Sequence, residues 1–194
     1  MTNELNEIKE LLGPKKDEAW KNLAKRLDAR LVDGDKQFGQ CVVLPYENWE
    51  LRLDIGDADA LYTRQAYTRL SVPINNPSGF RFSIYREGPG STIAKLFGMQ
   101  DLTVGHKDFD NEFIIKGNDR RKLKVLFREQ SIRKMLQDRP DFHLTIYDDN
   151  ALEFSKLEED TDMLVYQVAG VVVDVDELVA VFDLMKAILK QLEI

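Results

Sequence analysis

"AYTRLSVPINNPSGFRFSIYR", residues 66–86, is the stretch that decides the fold. On either side of its centre, apolar residues fall at every second position: Leu70, Val72 and Ile74, then Phe80, Phe82 and Ile84. Period-two alternation belongs to strands with one buried face. Between the runs, Asn75-Asn76-Pro77-Ser78-Gly79 supplies residues that favour turns. The stretch reads as two strands, 66–74 and 80–86, joined as a hairpin. Tyr67, Arg69 and Ser71 would then stand beside Arg81, Ser83 and Tyr85 on the opposite face.

The same alternation extends outward. Upstream, Trp49, Leu51, Leu53 and Ile55 alternate with Glu50, Arg52 and Asp54, and a strand over 38–46 can reach them through a Tyr46-Glu47-Asn48 link. Before these strands, Leu5, Ile8, Leu11 and Leu12 have helical spacing, and Gly13-Pro14 predicts its end. Trp20, Leu23, Ala24, Leu27 and Leu31 predict a second helix. Downstream, Phe109 to Lys116 reads as a strand, Asn118 or Asp119 as a helix cap, and 120–136 as two short helices broken near Glu129. Phe142, Leu144 and Ile146 begin a strand that Asp148-Asp149-Asn150 turns back into Leu152-Glu153-Phe154. Met163 to Val173 is the last strand, with Gly170 at a bulge. Asp174 and Glu177 form a capping box for a helix striped by Leu178, Val181, Phe182, Met185, Ile188, Leu189 and Leu192.

Hairpin-length links give an α+β class: a largely antiparallel sheet of about seven to eight strands, a long C-terminal helix across it and two N-terminal helices. One domain covers 1–194, with a sub-boundary, if any, near 98–107.

The balance of 43% hydrophobic and 31% charged residues is that of an ordinary globular chain. A net charge of −7 argues against a general nucleic-acid binder, which needs a basic surface to displace counterions. The single cysteine, Cys41, can form no intrachain disulfide and fits a reducing compartment as a small buried hydrophobe. The N-terminal stretch is charged, without an apolar signal core, and Val168 to Val173 is too short to span a bilayer. The expectation is a cytoplasmic protein.

Catalytic signals are sparse. Gly88, Gly90, Ser91 and Thr92, with Arg86 nearby, could cradle an anion at a helix N-terminus. They match neither GxxxxGK[ST] nor GxGxxG, Pro89 removes an amide, and a turn with Ser91 as N-cap explains them. His106, His143 and Cys41 are too few to complete a zinc shell, so no cofactor is expected. His143, on the polar side of its strand, reads as a solvated histidine. Asp54, Asp57 and Asp59 read as turn-forming acids, since their spacing fits no EF-hand loop.

The strongest lead is a tyrosine–arginine face comprising Tyr62, Arg64, Tyr67, Arg69, Arg81, Tyr85 and Arg86, residue types enriched in binding hot spots. It favours a non-enzymatic binding or accessory protein that recognises a protein or small ligand through Tyr67, Arg69, Arg81 and Tyr85. The alternative is an enzyme or binding protein for a phosphorylated small molecule held by Arg86, Gly88, Gly90 and Ser91. A structural subunit, self-associating through an amphipathic helix, is a third reading.

"FDNEFIIKGND" (109–119), "KVLFREQSIRKML" (124–136) and "HLTIYDDNALEF" (143–154) give the chain from Phe109 onward a further reference. This part resembles a family of uncharacterised bacterial proteins, a domain of unknown function that pairs a Phe-Asp-x-x-Phe strand with a broken helix and a hairpin. The resemblance implies a bacterial source and assigns neither activity nor functional residues.

Overall fold

A computed structural model describes residues 3–33, 40–57, 66–86, 100–139, 141–147 and 160–192, with side chains from residue 13 onward except that of Asp57. The chain is α+β, with nine strands in one sheet ordered β1-β2-β3-β4-β9-β8-β5-β7-β6. In chain order the strands are β1 (Arg30–Val32), β2 (Cys41–Tyr46), β3 (Trp49–Asp57), β4 (Ala66–Asn75), β5 (Phe82–Tyr85), β6 (Gln100–Asp101), β7 (Ile114–Gly117), β8 (His143–Tyr147) and β9 (Thr161–Ala169). The helices are α1 (Asn3–Leu27), α2 (Lys107–Glu112), α3 (Arg120–Leu126), α4 (Gln130–Gln137) and α5 (Val175–Leu192). No helix among the described residues is long and apolar enough to cross a membrane. By compactness the chain forms two units, Met1–Leu70 with Val168–Asp183, and Ser71–Gln167 with Leu184–Ile194. The elements β4, β9 and α5 run from one unit into the other.

In the first unit, α1 is a single helix where Gly13-Pro14 predicts two. Proline removes one amide donor and crowds the preceding turn, at a cost of about 3 kcal/mol, yet the ladder resumes beyond it. The buried face of α1 comprises Ala19, Trp20, Leu23 and Ala24. The Trp20 indole N–H donates to the Val172 carbonyl at 3.1 Å. Asp28, at φ 53°, ends the helix, and the Ala29 amide returns to the Ala24 carbonyl at 2.8 Å. The expected hairpin of β2 and β3 is present, with Tyr46 opposite Trp49 and their rings stacked at 6.2 Å. Gly170, at φ 87°, closes β9: its amide donates to Ala66 at 2.8 Å and its carbonyl accepts from Thr68 at 2.9 Å.

The second unit revises the opening stretch. The turn forms as its residues predict, with the Asn76 side chain bonded to both the amide and the carbonyl of Phe80, at 3.0 and 2.8 Å. The flanking strands do not pair, because β9 and β8 lie between β4 and β5 in the sheet. The Asn76 amide goes instead to the Asp160 carbonyl at 2.7 Å, and β5 pairs with β7 and β8, placing Ile84 opposite both Ile115 and Leu144.

Residues 109–116 split into a helix and a strand rather than one strand. Phe109 and Phe113, four apart, bring their rings to 4.8 Å at the end of α2. Phe127 meets Phe109 at 5.2 Å and Phe82 at 6.2 Å, so an aromatic cluster joins these helices to the sheet. A side chain at Gly117 would crowd its neighbours: a Cβ there would lie 2.7 Å from Leu123 Cδ1 and 3.1 Å from the Arg81 carbonyl. The break between α3 and α4 falls at Glu129, as expected. In α5 the expected stripe is buried from Leu178 to Leu189, and Asp174 accepts the amides of Asp176 and Glu177 at 2.9 and 3.0 Å. The strands β1 and β6 have no counterpart in the sequence reading, while the second arm of the expected 143–154 hairpin lies outside the described residues.

Candidate functional site

The described residues of the expected tyrosine–arginine face are not brought together on one hairpin. Tyr67 and Arg69 lie on β4 in the first unit and Tyr85 on β5 in the second, with Arg81 and Arg86 flanking β5, and β9 and β8 separate the two strands in the sheet order. Tyr62, Arg64, Gly88, Gly90, Ser91 and Asp59 lie outside the described residues. Arg69 grips Asp54 through two bonds of 2.8 and 2.9 Å, and its guanidinium lies over Gly56. Such bidentate pairs fix both partners. Arg86 stands 4.5 Å over the Phe113 ring and donates to Glu112 at 2.6 Å and to the carbonyls of Gln137 and Arg139. Gln137 and Arg86 together hold the Glu112 carboxyl below the usual carboxylate range. Arg86 therefore ties β5 to the helical layer.

A different cluster lies on the sheet of the second unit. Directly opposed residues project from the same side of a sheet. The register sets Ser83 opposite Thr145, Tyr85 opposite His143, and His143 opposite Gln167. One face of β5, β8 and β9 therefore carries a cluster of polar side chains. Ser83 Oγ lies 2.6 Å from His143 Nε2, and the Gln167 amide nitrogen lies 3.4 Å from Nδ1. The rings of Tyr85 and Tyr147 meet the imidazole edge-on at 5.7 and 6.2 Å. The Thr145 hydroxyl donates to the Phe82 carbonyl at 2.9 Å. Ser83 and Thr145 are fully buried. Burial lowers the His143 pKa to about 4, so the ring is neutral near pH 7. This replaces the solvated histidine expected from its strand position.

The signal for this cluster is present in the sequence, since Ser83 and Tyr85 share a period with His143 and Thr145. What assembles it is the β5–β8 pairing, a contact between distant segments that local pattern does not specify. Elsewhere, Cys41 is buried as expected, and burial pushes its thiol pKa up. Among the described residues no group of three potential ligands is gathered for a metal ion. The chain matches no protein-family model, no curated protein and no solved structure.

Proposed function

We propose that the protein is a non-enzymatic binding or accessory protein. The observation that carries this reading is the seating of His143 between Ser83 and Gln167, from which we infer the polarity of the Ser83–His143 contact. A glutamine amide nitrogen can only donate, so His143 Nδ1 accepts from Gln167, and the proton of the neutral ring sits on Nε2. That nitrogen then donates to Ser83 Oγ. Activation of a serine needs the reverse, a lone pair at the nitrogen that faces the hydroxyl. The cluster is better suited to bracing β5, β8 and β9 than to attacking a substrate. Recognition by polar contact is supported by the surface: Val173 is the single large apolar side chain exposed among the described residues.

A second reading makes Ser83 a nucleophile, and the 2.6 Å contact with His143 favours it. A fluorophosphonate probe separates the two. The binding reading expects no labelling, together with nitrogen NMR shifts that place the proton on Nε2. Labelling that disappears in Ser83→Ala would establish the hydrolytic reading instead.

A further inference from the structure

Asp119 to Arg139 carries eight basic and three acidic side chains, a surplus of five in a chain of net −7, which leaves the rest at −12. This stretch forms α3 and α4. Its buried face is apolar: Leu123, Leu126, Phe127, Ile132 and Leu136. The basic residues divide by role. Arg133 donates to the Phe127 and Arg128 carbonyls and closes the end of α3, and Arg120 reaches the Thr103 carbonyl and hydroxyl. Arg121, Lys124, Arg128 and Lys134 are exposed, and their side chains make no hydrogen bond or ion pair among the described residues. Arg121 and Lys124, three apart on α3, share one side of that helix, and Arg128 lies in the turn that follows it. Of the three acids, Asp119 is occupied by the amides of Arg121 and Lys122.

We propose that this α3–α4 face docks an acidic peptide segment of a partner protein, an inference that rests on the binding reading above. Charge complementarity selects the sign of the partner, and the chain's overall charge selects its size. Fields at the surface are screened over about 8 Å at physiological ionic strength. A short acidic segment lying on this face meets the local cationic field. A nucleic acid or an anionic bilayer extends beyond it and meets the remaining −12 as well. Between Asp119 and Arg139 the only aromatic side chain is Phe127, which is buried, so the face offers no platform for stacking bases.

The test is titration of the full chain with a fluorescein-labelled poly-glutamate peptide, phosphatidylglycerol vesicles and single-stranded DNA at matched salt. Saturable binding of the peptide in preference to the other two is expected. Lys124→Glu with Arg128→Glu should weaken it by roughly tenfold or more, as loss of complementary charge does. Arg121→Glu with Lys134→Glu should act alike. Lys21→Glu with Lys25→Glu, on α1 in the first unit, makes the same change in net charge and should leave binding unchanged.

Tighter binding to vesicles or DNA, equal loss in the α1 variant, or no peptide binding would overturn the inference. None of these outcomes labels Ser83, so the proposed function fails or stands separately on its own probe.

Discussion

His143 is where a single side chain should make stability answer to pH. In the unfolded chain its imidazole titrates near 6.5, and in the fold near 4. Between those values the unfolded chain binds the extra proton, so stability falls as pH drops from 6.5 towards 4. At roughly 1.4 kcal/mol per unit, the loss approaches about 3 kcal/mol by pH 4. Urea midpoints measured across this range should fall more steeply for the native chain than for His143→Asn, and parallel curves would refute the assignment. Gln167→Glu places a carboxylate beside Nδ1, so the imidazole pKa should rise, as followed by NMR.

At the scale of elements, α3 depends on one carboxylate. Asp119 Oδ1 accepts the amides of Arg121 and Lys122 at 2.8 and 3.1 Å. Asp119→Ala should cost about 0.5–2 kcal/mol, seen as a lower denaturation midpoint, whereas an unchanged midpoint would mean that packing alone holds the helix. Phe182 is fully buried on α5, so Phe182→Ala should cost roughly 3–5 kcal/mol through lost contact and a residual cavity. A native-like midpoint would contradict that burial.

Elements whose signals are local were legible in the sequence: the α5 stripe, the Asp119 and Asp174 caps, the β2–β3 hairpin and the break at Glu129. Two local readings failed for identifiable reasons. Gly13-Pro14 has the composition of a stop, but a proline costs a long helix one bond and leaves its ladder on both sides. Phe109 and Phe113 suit a strand by residue type, whereas their four-residue separation suits the end of α2.

For the whole molecule, what escaped the sequence was strand order. The 75–79 turn is present, yet the strands it joins are separated by β9 and β8, and the Ser83–His143 cluster follows from that arrangement. The two compact units share β4, β9 and α5 as unbroken elements. A strand or helix that ends midway loses backbone bonds there, so unfolding of either unit should fray the elements that continue beyond its bounds. Urea denaturation followed by Trp fluorescence and by far-UV circular dichroism should give coincident single transitions. Trp20 and Trp49 both lie in the first unit, so separate midpoints would reveal independent unfolding.

The brevity of the outermost strands has a consequence for life at high concentration. Among the described residues, one rim of the sheet is β1, with three residues, and the other is β6, with two. Arg30 on the first rim pairs with Glu50, and Asp101 on the second with Lys116. A stray extended chain seeking to lengthen the sheet finds charged, very short templates at both ends. Addition there yields few backbone bonds and must displace hydrated ions, which is how natural sheets resist edge-to-edge polymerisation. Among the described residues, the rims of the sheet therefore offer little for a growing fibre to build on.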